Sequence, residues 1–262
     1  MRRQMATVTR ETGIVRYARI RQKLPREIVL LRGTGCKWRR CRFCDYHLDA
    51  SADTEANYRL NKQVLSYVTG RYGILEVINS GSFTDLDENT MQAIIDTCRE
   101  HDIRQAHIEF HWMDRLKVAP LKERFARSGI ELWTKMGVET FDIPFRKSYL
   151  DKGIDTPSSS PAPEDIACYA DEINLLMGLP GQSTESMLED VKIGLSLFKR
   201  VCVNVMTANS APIQPDQRVI LKCRAFVLPA YQDNPRVDIL TDNSDWGLGD
   251  ELPSGEVART ES

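Results

Sequence analysis

The residues of this chain best suited to chemistry are three cysteines that fall within nine residues of one another. Cys36, Cys41 and Cys44 follow a short apolar segment, residues 28–31, and two glycines precede the first of them. Glycines let a loop curl tightly, and the neighbouring Lys and Arg residues favour the thiolate form of cysteine. This grouping is typical of a metal or iron–sulfur site.

The other cysteines are scattered singly along the chain, at Cys98, Cys168, Cys202 and Cys223. Isolated cysteines of this kind usually behave as small buried apolar residues, so we expect none of them to bind metal. The N-terminal residues lack the apolar stretch of a secretory signal, which predicts a reducing, cytoplasmic setting. The seven cysteines are therefore not expected to form a disulfide framework.

Two kinds of metal site fit the grouped cysteines. Zinc would be held in a tetrahedron by Cys36, Cys41, Cys44 and His47. Alternatively, a 4Fe-4S cluster held by three thiolates would leave one iron without a protein ligand, and that open iron could bind a substrate or cofactor. The residue types alone leave both possibilities open.

Six short apolar segments predict strands, with room for a helix between each pair. They are residues 28–31, 74–78, 106–110, 130–136, 173–177 and 201–206. Helical periodicity between them is clearest after residue 183, where apolar residues share one face. They are Met187, Val191, Leu195 and Phe198. The pattern predicts an α/β fold, a partial (β/α)6 barrel with its chemistry at the carboxyl ends of the strands.

Composition and local sequence predict the domain organisation. We expect a basic N-terminal extension over residues 1–25, a core barrel over 26–207, and a short irregular C-terminal extension over 208–262 that ends in a disordered acidic tail. Residues 155–165 are rich in Ser and Pro, which predicts a loop leading into a short helix.

The overall composition excludes several classes of protein. Hydrophobic residues make up 42% and charged residues 27% of the 262 residues, values typical of a globular chain rather than a disordered or fibrous one. No apolar run approaches the roughly 18–20 residues of a membrane-spanning helix, so no membrane partner is expected.

The cysteine loop and the strand ends together resemble the radical S-adenosylmethionine (radical SAM) superfamily. Its members carry a C-x3-C-x2-C loop after the first strand, often with an aromatic residue before the last cysteine, a position that Phe43 matches. Here four residues separate Cys36 from Cys41. The longer spacing and the surrounding sequence are most similar to the branch that contains the elongator catalytic subunit and MiaB-like and archaeosine-synthase-like enzymes.

The resemblance extends over about residues 28–209 and implies two cofactors. Cys36, Cys41 and Cys44 would bind the 4Fe-4S cluster, and S-adenosylmethionine (SAM) would be held by residues at the strand ends. These are Phe43, the turn Ser80, Gly81 and Ser82 for the amino group, Glu109 and Glu139 for the ribose and carboxylate, Arg146 for the carboxylate, residues 174–182 for the adenine, and Asn204 for the ribose.

The same resemblance implies an activity. An external donor of the flavodoxin or ferredoxin type would reduce the cluster, and reductive cleavage of SAM would give a 5'-deoxyadenosyl radical that abstracts a substrate hydrogen. The substrate is not readable from the sequence, although the branch points toward a tRNA nucleobase. The alternatives are a zinc- or cluster-stabilised nucleic-acid-binding protein without radical chemistry, and a barrel whose cluster is structural or carries electrons.

Charge is distributed unevenly along the chain. Residues 1–42 contain 13 Arg or Lys against Glu11 and Glu27, a net charge of +11, whereas residues 233–262 are acidic. Basic and aromatic residues alternate in the first segment, which predicts a surface that binds the phosphates and bases of tRNA. The residues are Arg16, Tyr17, Trp38, Arg39, Arg40 and Tyr46. In the alternative interpretation, the cations tune the cluster or cover the mouth of the barrel.

Overall fold

The computed structural model describes residues 14–241 and the backbone of a two-residue strand near the N-terminus. Within this part of the chain, nine strands form one sheet in which neighbours follow one another in chain order. The strands are β1 (Thr7–Val8), β2 (Val15–Ile20), β3 (Arg26–Leu31), β4 (Ile74–Asn79), β5 (Gln105–Phe110), β6 (Glu131–Glu139), β7 (Glu172–Met177), β8 (Arg200–Val205) and β9 (Val237–Leu240). The first three are antiparallel, and β3 to β9 are parallel.

Helices connect the parallel strands. They are α1 (Thr54–Leu65), α2 (Glu88–Glu100), α3 (Val118–Ala126), α4 (Pro163–Ala167), α5 (Thr184–Leu197), α6 (Gln217–Lys222) and α7 (Leu228–Tyr231). Shorter 3-10 turns occupy Tyr46–Asp49, Phe83–Asp85 and Trp112–Lys117, and π-helical turns occupy Phe145–Tyr149 and Cys223–Val227.

One face of each parallel strand packs under these helices. Val29, Leu75 and Ile108 from three neighbouring strands form an apolar core with Leu60 of α1 and Ile94 of α2. Alternate residues of the same strands point to the other face, which is the interior of the barrel. The strand periodicity therefore divides each strand between a structural core and a potential site.

The helix after residue 183 shows why the sequence begins a helix there. The Ser183 hydroxyl accepts a hydrogen bond from the Ser186 amide at 3.1 Å, capping the first turn of α5. Met187 and Val191 of its apolar face are fully buried. A Cβ atom on Gly194 would lie 2.7 Å from Val201 Cγ2, so glycine lets α5 approach β8 closely.

The parallel part of the sheet is curved, so that side chains of its first and last strands, β3 and β9, are in contact. Arg26 on β3 pairs with Asp238 on β9 at 3.0 Å, and Lys23 donates to the Val237 carbonyl. The predicted α/β partial barrel is confirmed, and all six predicted strands are present.

The structure corrects the predicted boundaries of the barrel. Residues 1–25, expected to be an extension, contain β2, which pairs with β3. The segment after residue 207, expected to be irregular, contains α6, α7 and β9, a seventh parallel strand. The signal of β9 is weak because it is only four residues long and carries Asp238, a charge that Arg26 and Arg200 neutralise from other strands.

In the Ser- and Pro-rich segment 155–165, the predicted loop covers residues 155–162, and α4 begins within the segment, at Pro163. The tail from residue 242, expected to be disordered, lies outside the described residues. No helix in the part of the chain that the structure describes is long and apolar enough to cross a membrane.

We expect Arg26→Ala to lower the free energy of unfolding by about 3–5 kcal/mol, because it leaves Glu76 and Asp238 buried without their shared cation. The measurement is urea denaturation followed by circular dichroism. Arg59→Ala is the control, since the Arg59–Glu55 pair is exposed and worth below about 1 kcal/mol. Equal effects of the two substitutions would contradict this role for Arg26.

Candidate active site

One cavity lies inside the barrel and opens at the carboxyl ends of the parallel strands. Its volume is about 230 Å³, which admits a small molecule or a single extruded base but not a folded macromolecule. Cys36, Cys41 and Cys44 all line it. The structure therefore brings the three predicted ligands to one place.

The cysteine loop, residues 32–45, is held against two neighbouring loops. The Thr34 amide donates to the Asp85 carbonyl at 3.1 Å, and the Arg42 amide donates to the Leu150 carbonyl at 2.9 Å. The Arg39 guanidinium donates to the Cys36 carbonyl at 2.8 Å. These bonds fix the loop without using the thiols.

The thiols are suited to a cluster with several irons. Burial raises the pKa of Cys41 to about 12 and that of Cys44 to about 11, so binding iron must displace their protons. Within residues 14–241, no three His, Cys, Asp or Glu side chains are arranged to hold a single metal ion. The zinc tetrahedron with His47 is thus not formed by these side chains, and three thiols that line one cavity would be the ligand set of a 4Fe-4S cluster with one open iron.

Three of the other four cysteines lie away from the cavity. Cys98 and Cys223 are buried in apolar cores, and Cys168 is exposed on the outer surface. Cys202 lines the cavity from β8, where burial raises its pKa to about 12.

The turn after β4 closes one side of the cavity. The Ser80 hydroxyl and Asn79 Oδ1 are buried without a hydrogen-bond partner, which is the kind of polar atom that a bound ligand satisfies. Ser82 instead supports the turn, because its amide donates to Asp85 at 2.8 Å and its hydroxyl accepts from the His111 amide at 3.3 Å. Of the two predicted serines, only Ser80 lines the cavity.

Gly81 touches the cysteine loop directly. A Cβ atom at this position would lie 2.8 Å from the Cys36 amide nitrogen and 3.1 Å from its Cα. From the sequence, a larger residue at Gly81 is expected to weaken cofactor binding and leave iron intact. The structure corrects that expectation, since any side chain here also displaces Cys36.

Glu139 ends β6 in a left-handed backbone conformation, with φ of 68°. Its carboxylate accepts from Lys152 Nζ at 2.6 Å, beside the cysteines. Burial alone would lower the pKa of Lys152, but the Glu139 carboxylate outweighs it and raises that pKa. Lys152 also lies 5.4 Å from the centre of the Phe43 ring. In the sequence, only the resemblance to the family marks Lys152, because its partner Glu139 lies 13 residues earlier.

His111 and Phe43 complete this part of the cavity. His111 Nε2 lies 3.1 Å from the Lys152 carbonyl oxygen, and burial and the Lys152 cation lower the pKa of His111 to about 4. Phe43 packs with Leu150, Leu179 and Met206, which forms an apolar wall next to Cys41 and Cys44.

The structure places Arg146 outside the cavity. Its guanidinium donates two hydrogen bonds of 2.9 Å to the Asp155 carboxylate, and both side chains are 1% exposed. From the sequence, Arg146 was predicted to bind the carboxylate of SAM. Its pairing with Asp155 outside the cavity contradicts that prediction. A sequence does not reveal that a nearby Asp already occupies an arginine.

The other two predicted polar residues line the cavity. Glu109 accepts a hydrogen bond of 2.7 Å from Asn174 on β7. Asn204 projects from β8 and has one weak contact, 3.9 Å from the Cys202 sulfur. Together with Glu139, they form a polar side of the interior.

The floor of the cavity is a network of buried charges that the sequence analysis missed. Glu76 on β4 pairs with Arg26 and Lys135, and Lys135 lies 3.8 Å from Glu172, which is 2.8 Å from His107. Each of these residues occupies an inward position of its strand. Polar residues at alternate positions of otherwise apolar strands are therefore the sequence feature that could have predicted this network.

The predicted RNA-binding surface is partly wrong. Arg16 is fully buried against Asp49, and the Tyr17 hydroxyl donates to Glu27 at 2.5 Å in the interior. Arg39 and Arg40 are exposed, but Arg40 pairs with Asp151 at 3.0 Å. Arg16 and Tyr17 therefore lie inside the protein rather than on an RNA-binding surface, whereas binding of tRNA by the exposed arginines stays a prediction.

Comparison with known proteins identifies the family. The solved structure of queuine lyase from Clostridium spiroforme, bound to SAM and queuine, superposes with a TM-score of 0.82 and 36% sequence identity. The match covers 90% of this chain and 99% of that one. The chain belongs to the radical SAM superfamily. It is an enzyme, and its cofactors are a 4Fe-4S cluster and SAM.

Other comparisons add nothing to this assignment. No protein-family model matches the chain, and no curated protein matches it significantly. A 3-dehydroquinate dehydratase from Geobacillus kaustophilus HTA426 shares 12% identity at a TM-score of 0.28 over 78% of this chain and 91% of that one, too little to bear on fold or function.

We expect Cys36→Ala, Cys41→Ala and Cys44→Ala each to lose the radical SAM cluster, because each removes one of three thiols that share the cavity. The measurement is iron and sulfide content after anaerobic reconstitution, with the brown absorption as a second readout. Cys168→Ala, at an exposed site, is the control and keeps its iron. A Cys41→Ala protein with full iron content contradicts the assignment.

We expect Ser80→Ala to weaken SAM binding about threefold to tenfold without loss of iron, because it removes a buried hydroxyl that has no protein partner. Equilibrium dialysis with labelled SAM measures the effect. Gly81→Ala should lose iron as well, since its new methyl group meets Cys36. Ser66→Ala, which removes an exposed hydroxyl, is the control. Unchanged SAM affinity in Ser80→Ala would remove this serine from the cofactor site.

Proposed function

We propose that this chain is a radical SAM lyase that acts on queuine or a closely related 7-deazaguanine base. The observation that carries the proposal is the 36% identity to a queuine lyase over 99% of that protein's length. The cavity supports it, because an apolar wall and a polar wall suit a flat heterocycle with hydrogen-bonding edges.

In this proposal each part of the site has a separate task. Cys36, Cys41 and Cys44 hold the cluster, and Ser80 with Glu139 binds the amino acid and ribose parts of SAM. When bound, these cofactors supply one-electron reductive cleavage of SAM and abstraction of a substrate hydrogen atom. We expect the electron to come from a flavodoxin- or ferredoxin-type protein.

The residues of the chain then control access and orientation. Phe43 and Met206 are nearly fully buried and exclude water from the space below the cysteines. Lys152 neutralises Glu139 and holds its carboxylate in place through a 2.6 Å hydrogen bond. The charged floor, with its ion pairs already made, closes the opposite end of the cavity.

A base attached to tRNA is the second candidate substrate. Lys37, Arg39, Arg40 and Arg42 of the cysteine loop are exposed near the mouth of the cavity. In this alternative they contact a nucleic-acid backbone. Each already has a partner within the protein: Lys37 pairs with Asp114, Arg40 pairs with Asp151, and Arg39 and Arg42 donate to backbone carbonyls. The predicted membership of this chain in the tRNA-modifying branch of the superfamily depends on this second candidate.

We expect the reconstituted enzyme with SAM and a reductant to consume free queuine and to form a new 7-deazaguanine base together with methionine and 5'-deoxyadenosine. Anaerobic incubation followed by liquid chromatography and mass spectrometry measures all four compounds. Reactions without reductant and with Cys41→Ala are the controls, and both should be inactive.

Two further outcomes separate the candidate substrates. Consumption of the base in tRNA but not of free queuine would support the second candidate. If SAM is cleaved at the same slow rate with and without either substrate, the radical SAM assignment stands and the proposed substrate is wrong.

A further inference from the structure

The interior of the barrel is layered. Above the charged floor, the inward residues of β3, β4 and β9 are Ile28, Ile78 and Leu240, and all three line the cavity. Facing residues on β5 and β7 are Glu109 and Asn174. This middle layer therefore has an apolar side and a side that presents one carboxylate.

Glu109 of β5 and Asn174 of β7 are in contact although β6 lies between their strands, because β6 has a glycine at this point. The register pairs Gly137 of β6 with Asn174 of β7, and Lys135 of β6 with Glu109 of β5. Because Gly137 occupies the inward position at this height, the Asn174 amide reaches Glu109 Oε1 at 2.7 Å. That hydrogen bond fixes the orientation of the carboxylate.

Glu109 differs from the other glutamates of the interior in its partners. Glu76, Glu139 and Glu172 each have a Lys or Arg nitrogen within 4.0 Å. Among the described residues, no cationic side chain forms such a pair with Glu109, and Asn174 is the partner of its Oε1. Burial raises the pKa of Glu109 because no cation is paired with it, and two hydrogen bonds donated by a bound base would favour the ionised form again. Among residues 14–241, no hydrogen bond is seen to its other oxygen, which leaves acceptor capacity for a ligand.

We infer that Glu109 recognises the pyrimidine edge of a guanine-like substrate base, accepting hydrogen bonds from the ring N–H and the adjacent exocyclic NH2. The inference rests on the proposed function. The edge presents two neighbouring donors, and an ionised carboxylate is a two-oxygen acceptor with no donor. The apolar residues opposite would cover the face of the ring.

The adenine of SAM presents one amino donor beside a ring nitrogen that is an acceptor, so it fits a carboxylate less well than the guanine-like edge does. The resemblance implied that Glu109 contacts the ribose or carboxylate of SAM. Glu139, beside the cysteines, is the residue proposed here for the ribose, and Glu109 lies in the layer below it, which is why we assign Glu109 to the substrate base.

The test is an exchange of specificity in the reconstituted holoenzyme with SAM bound. Glu109→Gln replaces two acceptor oxygens by one acceptor and one donor. We expect its affinity for 7-deazaguanine and queuine to fall about 100-fold, because one donor of the base is left facing an NH2 group. Affinity for 7-deazaxanthine, which presents a ring N–H beside a carbonyl, should rise until it is the preferred ligand. Isothermal titration calorimetry under anaerobic conditions measures each dissociation constant.

Controls separate this role from folding and from cofactor binding. Glu131→Gln makes the same change at an exposed position of β6 and should leave every affinity unchanged. SAM affinity and iron content should be normal in Glu109→Gln. If this variant keeps the wild-type preference for 7-deazaguanine, or loses affinity for SAM instead, the inference is overturned while the proposed function stands. If the wild-type enzyme binds neither queuine nor 7-deazaguanine, the proposed function and the inference fail together.

Discussion

The structure depends on neutralising the charges that the strands place inside the barrel. Glu76 is the central residue, because Arg26 and Lys135 reach it from two other strands. Burial would raise the pKa of this carboxyl, yet the two cations hold it far below its usual range. A buried carboxylate without such partners would be strongly unfavourable. The curved sheet brings these charges together, and the ion pairs in turn stabilise the curved sheet.

Charge pairing then changes in a regular way along the axis of the barrel. At the floor, Arg26, Glu76 and Lys135 are paired with one another and offer little to a ligand. In the middle layer, Glu109 has only an amide partner. At the mouth, the Ser80 hydroxyl has no hydrogen-bond partner, and the Cys41 thiol has a long contact, 3.7 Å from the Lys152 carbonyl oxygen. Of the four buried polar side-chain atoms that lack a partner in the described part of the chain, those of Asn79 and Ser80 lie at the mouth, whereas the other two belong to Arg16 and to His107 of the floor.

How much the sequence could predict follows from the range of the interactions involved. The strands, the cysteine loop and the turn at Ser80 depend on neighbouring residues, and the fold and cavity contain them as expected. The errors concern charged residues whose partners are distant or already present. Arg146 is occupied by Asp155, Arg16 by Asp49, and Asp238 of the unpredicted strand by Arg26. A charged residue looks the same in a sequence whether it faces a ligand or a buried partner.

Glu139 shows how the strand ends are shaped for binding. A non-glycine residue with a φ of 68° costs on the order of 1 kcal/mol, and the ladder between β6 and β7 shifts register at the same point. Gly137 and Glu139 both line the cavity, as alternate residues of one strand do. A Cβ atom on Gly137 would lie 2.7 Å from Glu139 Oε1 and 2.9 Å from Lys152 Nζ, so glycine leaves room for that ion pair. One glycine thus serves two layers: above it the Glu139–Lys152 pair faces the cysteines, and below it Asn174 reaches Glu109.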